Sequence, residues 1–133
     1  MNRREAREKA LQALFQLDIN EQNPQDAIIH VLNEDAEKTD QFLEQLVYGA
    51  IEHKEEVDQI IKNNLENWTI DRIGKIDRAI LRVAVYEMVH ERTIPTNVSI
   101  NEAIELAKIY GDDDSSKFIN SVLSKVKDQL ALE

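Results

Sequence analysis

The most apolar segment of the chain is RIGKIDRAILRVAVYEMVH, which runs from Arg72 to His90. Its apolar side chains recur at the spacing of an α-helix and cover most of the circumference of that helix. Such a helix is typical of a central element that is packed on several sides. The segment therefore predicts a hub helix, with Ile76, Ile80 and Ala84 deeply buried along one stripe.

Helical periodicity also recurs before and after this segment, whereas the apolar/polar alternation of a strand does not persist over any stretch. Six further helices are predicted, so the fold class is all-α, with about seven helices joined by short loops. The first helix is expected to span about Arg3 to Asp18. The signals for helix starts are Asn2 with Glu5, Asn23 with Pro24, Thr39, the acidic turn from Glu55, Ser99 with Glu102, and the run Asp112 to Asp114.

Length and composition fit one folded domain. The chain has 133 residues, of which 42% are hydrophobic and 32% charged, and a single domain over residues 1–133 is predicted. It has no cysteine, which excludes disulfides and thiolate metal sites. The charged N-terminus is not a signal peptide and no apolar run is long enough to cross a membrane, so we expect a cytoplasmic protein.

The net charge of -10 opposes nucleic-acid binding, because phosphate contacts depend on Lys and Arg. The charges are unevenly distributed, however. Residues 1–9 carry four basic and two acidic side chains, and residues 72–92 carry five and three, whereas residues 10–71 carry three and fourteen. Two basic islands therefore stand in an acidic body, and they are the candidates for phosphate contact.

Helical spacing aligns the basic residues of each island. Arg3 and Arg7 share a stripe of the first helix, and Lys75, Arg78 and Arg82 form one stripe on the hub helix at i, i+3 and i+7. The alternative for the first island is a solvated, frayed terminus. The alternative for the second is pairing with the acidic body, and spacing leaves both alternatives open.

Two aromatic residues are candidates for stacking on RNA bases, which requires an exposed ring beside cationic or polar groups. Phe118 follows Lys117 and stands two positions before Asn120, and Phe15 lies on the stripe of Arg4. Packing in the core is the alternative for each ring.

The sequence contains no motif for catalysis. It has no P-loop, no nucleophile elbow and no dinucleotide fingerprint. His53 with Glu56 and His30 with Glu34 have a spacing that lets each pair share a metal ion, but such pairs are frequent on acidic helices and are interpreted as surface ion pairs. We expect no enzymatic activity, no metal site and no cofactor.

Four segments together resemble the NusB family: AREKALQALFQLD (residues 6–18), DRAILRVAVYEM (77–88), VSINEAIELAK (98–108) and DSSKFINSVL (114–123). They stand in the family's order and spacing and cover most of the chain. The resemblance implies two helical subdomains packed around a shared core. It also implies a transcription antitermination factor that binds boxA RNA of nascent ribosomal transcripts together with the ribosomal protein NusE and joins the RNA polymerase antitermination complex.

The resemblance also implies roles for individual residues. It places Arg3, Arg4, Arg7 and Arg82 at RNA-facing positions, and Phe15 stands where the family has a tyrosine, a change that preserves stacking. Asp77 is the first candidate for contact with NusE, because an acidic group beside the basic stripe suits a basic protein. The residues assigned to RNA binding are Arg3, Arg4, Arg7, Phe15, Lys75, Arg78, Arg82, Lys117, Phe118 and Asn120.

Other interpretations remain. The RNA-binding accessory domains fused to ribosomal RNA cytosine methyltransferases are similar, but this chain ends at Glu133 without a cofactor-binding domain, which favours a stand-alone factor. A helical adaptor that does not bind RNA would be distinguished by RNA titration at varied salt. Homodimerisation stays open, because some family members dimerise by covering the RNA surface. Replacing Arg7 or Arg82 by alanine is expected to weaken RNA binding and to leave the fold unchanged.

Overall fold

The structure, a computed structural model, describes residues 1–35 and 38–132, and within these ranges it contains seven α-helices and no strand. The predicted all-α fold with about seven helices is confirmed. None of the described helices is both long and apolar enough to cross a membrane. The helices are α1 (Arg3–Ile19), α2 (Pro24–Val31), α3 (Gln41–Glu52), α4 (Lys54–Asn63), α5 (Lys75–His90), α6 (Thr96–Tyr110) and α7 (Ser115–Ala131), with a short 3-10 turn at Ile70–Arg72.

The first three helices begin at side-chain caps. Asn2 and Asn23 each accept a hydrogen bond of 2.8 Å from the backbone N–H three positions later, which confirms the predicted starts of α1 and α2. The prediction that Thr39 caps α3 is wrong. The next residue, Asp40, accepts the bond from the N–H of Leu43 at 3.2 Å, and its carboxylate also interacts favourably with the helix dipole.

The start of α6 differs from the prediction. Its first residue is Thr96, directly after Pro95, so the expected capping box of Ser99 and Glu102 is wrong. The fixed φ angle of proline places it at the helix boundary, and the carbonyl of Pro95 accepts the first backbone bonds of α6. Ser99 consequently lies one turn inside the helix, where its side chain is buried.

The hub helix is α5, which contacts α1, α3, α4, α6 and α7. It begins at Lys75, three residues later than predicted, because the 3-10 turn precedes it. Ile80 and Ala84 are buried as expected, whereas Ile76 is only half-buried at the first turn. The helices α1 to α3 contact one another and α5 contacts α6 and α7, so α5 joins two helical groups through one continuous core.

Replacing Ile80 by alanine is predicted to lower the free energy of unfolding by roughly 2–5 kcal/mol, because its fully buried side chain would leave a cavity in the hub helix. The measurement is chemical denaturation. Ile109→Ala is the matched control, since that isoleucine is 63% exposed and its truncation should change stability by less than about 0.5 kcal/mol. Equal denaturation midpoints for the two variants would contradict a central position for α5.

Candidate nucleic-acid interface

The first turn of α1 presents two exposed cations. The guanidinium of Arg3 lies over the ring of Phe42, with its carbon 4.1 Å from the ring centroid. Arg4 donates a 3.1 Å hydrogen bond to the carboxylate of Glu102 while its side chain stays 68% exposed. Because Ala6 is fully buried in the core, this turn is held against the body of the protein, and both arginines keep accessible charge at its edge.

Arg7 does not lie on the surface, so the expectation of an RNA-facing side chain there is corrected. Arg7 is only 4% exposed, and its guanidinium donates hydrogen bonds of 2.6 and 2.9 Å to the carboxylate of Glu87 on α5. The hydroxyl of Ser99 donates a further 2.8 Å bond to the same carboxylate. This buried ion pair joins α1, α5 and α6, because each helix contributes one of the three side chains.

The arginines of the basic stripe on α5 also form ion pairs with acidic side chains of other helices. Arg78 donates a 2.6 Å bond to the carboxylate of Asp18, and Arg82 donates two bonds of 2.9 and 3.0 Å to Asp58. Arg78 is buried and Arg82 is largely buried. Pairing with the acidic body, the alternative that spacing left open, is therefore what the structure contains. Only Lys75 is exposed within this stripe.

The charge of this network acts on Asp18. Partial burial alone would raise the pKa of its carboxyl, but the hydrogen bond and charge of Arg78, together with the charges of Arg82 and Lys75, outweigh burial and hold the pKa below its ordinary value. The carboxyl therefore stays ionised and keeps these cations facing the protein. Arg78 and Arg82, two of the three predicted stripe residues, therefore link α5 to α1 and to α4. They do not form an open basic surface.

Phe15 is half-buried in a groove that α1, α2, α5 and α6 line. Its neighbours there include Lys9, Ile76 and Tyr110. The hydroxyl of Tyr110 accepts a 2.9 Å hydrogen bond from Gln12 and donates one of 2.5 Å to Glu8. The groove thus combines a half-buried aromatic ring with a cation and with polar groups where α1 meets α6. We call it the Phe15 groove.

Phe118 lies in a second groove, between the 3-10 turn and the start of α7. The groove is also lined by Trp68, Arg72, Asp77 and Asp114, and we call it the Phe118 groove. Burial raises the pKa of the Asp77 carboxyl by more than its hydrogen bond with Ser115 lowers it, and the charge of Asp112 raises it further. Burial disfavours the ionised form of this carboxyl, and a cationic partner beside it would favour that form again.

Trp68 and Arg72 were not among the residues that the sequence assigned to a site. Trp68 is 54% exposed and lines the same groove as the exposed Arg72, which is the combination that a stacking site requires. The available signal was the break in helical periodicity after α4. A tryptophan in a polar connecting segment cannot contribute to a helix face, so it is a candidate for surface recognition.

The two grooves flank the first turn of α5, since the consecutive residues Ile76 and Asp77 line one groove each. Lys117 and Asn120 are exposed on α7, on either side of Phe118 in the sequence. The structure therefore brings Phe118 and Asp77 into one groove and places Phe15 in the neighbouring one. Arg7, Arg78 and Arg82 line neither groove and lie in ion pairs.

Comparison with known proteins gives one consistent match. The model of the NusB family matches residues 4–128. Among characterised relatives, the transcription antitermination protein NusB of Bacillus velezensis is 62% identical over 127 residues, which is 96% of each chain.

Solved structures agree with this match. The structure of T. maritima NusB superposes with a TM-score of 0.85 at 33% identity, covering 95% of this chain and 90% of the other. A chain from the crystal structure of antitermination factors NusB and NusE in complex with double-stranded RNA superposes with a TM-score of 0.82 at 32% identity, covering 93% and 94%.

The burial of Arg7 changes what its substitution should do. Arg7→Ala would leave the carboxylate of Glu87 buried without its charged partner, and we predict a loss of roughly 3–5 kcal/mol in the free energy of unfolding. Arg4→Ala is the matched control, because its exposed ion pair should contribute about 0–1 kcal/mol. Denaturant titrations of both variants measure the difference. If Arg7→Ala were as stable as Arg4→Ala, the buried ion pair would not be a stabilising element.

Proposed function

The chain belongs to the NusB family, and from this premise we propose that it is a transcription antitermination factor that binds boxA RNA of nascent ribosomal transcripts together with NusE. The observation that carries the proposal is the pair of aromatic grooves on either side of the start of α5. We further propose that the resulting complex joins RNA polymerase in the cytoplasm. No catalytic step is needed for this role.

The Phe15 groove is the proposed RNA surface. Base stacking on an aromatic ring contributes about 1–3 kcal/mol per base and tolerates any base, and the half-buried ring of Phe15 is the candidate for it. Arg4 and Phe15 lie on the same stripe of α1, and Arg3 and Lys9 add charge beside it. A single strand that follows this stripe would meet cations at its start and an aromatic ring at its end.

The Phe118 groove is the proposed contact for NusE. Its acidic lining, Asp77 with Asp112 and Asp114, opposes phosphate but complements a basic ribosomal protein. Phe118 lines this groove, and Lys117 and Asn120 are exposed within two residues of it on α7. We assign these three side chains to contact with RNA held between the two proteins. Because Ile76 and Asp77 connect the grooves, RNA and NusE would bind as neighbours.

In this proposal Arg7, Arg78 and Arg82 act by holding the helices in position. Their guanidinium groups already donate hydrogen bonds to Glu87, Asp18 and Asp58. Moving these groups to RNA would leave the three carboxylates without their charged partners. A helical adaptor that does not bind RNA is the alternative that the acidic net charge favours. An RNA titration separates the two functions.

Replacing Phe15 by leucine is predicted to weaken binding of a boxA-like single strand, because leucine preserves packing but removes the stacking ring. Arg4→Ala should weaken it as well and lower the salt slope by about 0.7, the value for one phosphate on a single strand. Lys62→Ala, an exposed lysine at the end of α4, is the control and should leave the slope unchanged. Fluorescence anisotropy at several salt concentrations gives both quantities. Absence of RNA binding by the parent would support the adaptor, and titrations of all three variants that match the parent would show that the Phe15 groove is not the RNA surface.

The binding of RNA and the binding of NusE should be thermodynamically coupled. NusE should raise the affinity for RNA by a coupling free energy of about 1–3 kcal/mol, because a basic partner offsets the acidic surface. Asp77→Lys should reduce ternary complex formation and leave binary RNA binding unchanged or slightly stronger, whereas Asp128→Lys on the exposed side of α7 should do neither. RNA titrations with and without NusE measure this. Equal dissociation constants in both arms would rule out cooperative assembly.

A further inference from the structure

A second cluster of polar side chains lies away from both grooves, where α3 meets α4 and the end of α5 packs against them. His53 is the single residue between α3 and α4, Glu56 is in the first turn of α4, and His90 is the last residue of α5. His53 and Glu56 are three residues apart in the sequence, whereas His90 follows Glu56 by 34 residues. Helical spacing therefore revealed only two of the three groups.

The three side chains present their donor atoms to one another. Nε2 of His90 lies 2.5 Å from Oε1 of Glu56, and Nδ1 of His53 lies 3.9 Å from the same oxygen. One donor atom from each residue falls within 4.8 Å of the other two, the only such trio of potential metal ligands among the described residues. All three side chains are partly exposed, so an ion can reach them from solvent.

Packing places the two imidazoles in this position. The ring of Tyr86 lies directly against the backbone of Gly49, where a Cβ would collide with it. Tyr86 in turn stacks on His90 with centroids 5.2 Å apart, and His90 stacks on His53 at 4.0 Å. The cluster is therefore built on a buried tyrosine and a required glycine, and it is not an accidental approach of long surface side chains.

The chemistry of the three donors suits a metal ion. Oε1 of Glu56 lies within 3.9 Å of a nitrogen of each imidazole. Two imidazole nitrogens and a carboxylate oxygen form a donor set that borderline divalent metal ions prefer.

We propose that His53, Glu56 and His90 form a binding site for a divalent transition-metal ion of the zinc class. Ligand bonds of roughly 2.0–2.2 Å at tetrahedral angles set donor atoms about 3.4 Å apart. The cluster reaches that geometry when the donor atoms of His90 and Glu56, now 2.5 Å apart, separate and those of His53 and Glu56, now 3.9 Å apart, approach each other. The ring planes, now tilted by 27°, must also open further so that a nitrogen of each ring faces the ion. The remaining coordination position faces solvent and takes water.

The bound ion would connect the α3–α4 junction to the end of the hub helix. A ligand that binds the folded state and not the unfolded chain stabilises the fold by mass action, so the predicted consequence is a metal-dependent rise in the unfolding temperature. This site is independent of the proposed RNA function, because none of its residues lines either groove.

The test uses the full chain without an affinity tag, titrated with Zn²⁺ by calorimetry and followed by thermal unfolding. Zinc should bind and raise the unfolding temperature, EDTA should reverse the rise, and Mg²⁺ should have no effect, since it prefers oxygen ligands. His53→Phe and His90→Phe keep a stacked ring but remove a ligand. Each should weaken zinc binding by more than the roughly 10- to 100-fold that loss of an outer-shell partner costs.

His30→Phe is the matched control. His30 and Glu34 also form a pair, with 3.7 Å between Nδ1 and Oε1, and no third described ligand joins them. Zinc binding that His30→Phe retains and both other variants lose supports the site. Three results would each overturn it: no zinc binding by the parent, full binding by His90→Phe or His53→Phe, or an equal loss in His30→Phe. The unfolding temperature of each variant without metal verifies that it folds.

Discussion

The fold depends on how the hub helix neutralises a charge that it buries. Glu87 is 1% exposed near the C-terminal end of α5, and a bare carboxylate at that depth would cost several kcal/mol. Arg7 from α1 and Ser99 from α6 supply the donors. Because these donors lie on different helices, their bonds to Glu87 fix the rotation of α1 and of α6 against α5, which apolar packing alone leaves less strictly defined.

The same principle determines the surface. Asp18 and Asp58 neutralise Arg78 and Arg82 at the other end of α5, so most of the basic residues that spacing had aligned on this helix hold helices together. Within the stripe only Lys75 remains exposed. In the proposed function, RNA bases therefore stack on aromatic rings beside a few peripheral cations, and a basic partner protein complements the acidic surface.

Aromatic packing performs a comparable role at the α3–α4 junction. Gly49 allows Tyr86 to lie against α3, and Tyr86 orders the rings of His90 and His53 in one stack. The order in this region comes from contacts between helices distant in sequence. The positions of the polar atoms beside Glu56 follow from that packing and do not depend on the local helix geometry alone.

The sequence by itself determined the number of helices, the hub helix and the starts of α1 and α2, because periodicity and capping are properties of neighbouring residues. Its four segments also identified the family. Only the tertiary structure decided which charges remain exposed. A helical wheel places Arg7 and Arg78 each on a basic stripe of its own helix, but the carboxylates that pair with them, those of Glu87 and Asp18, belong to other helices. It likewise decided that His90 joins His53. The exposure of a side chain and its contacts with other helices depend on which helix packs beside it. The residue spacing within one segment does not determine that neighbour.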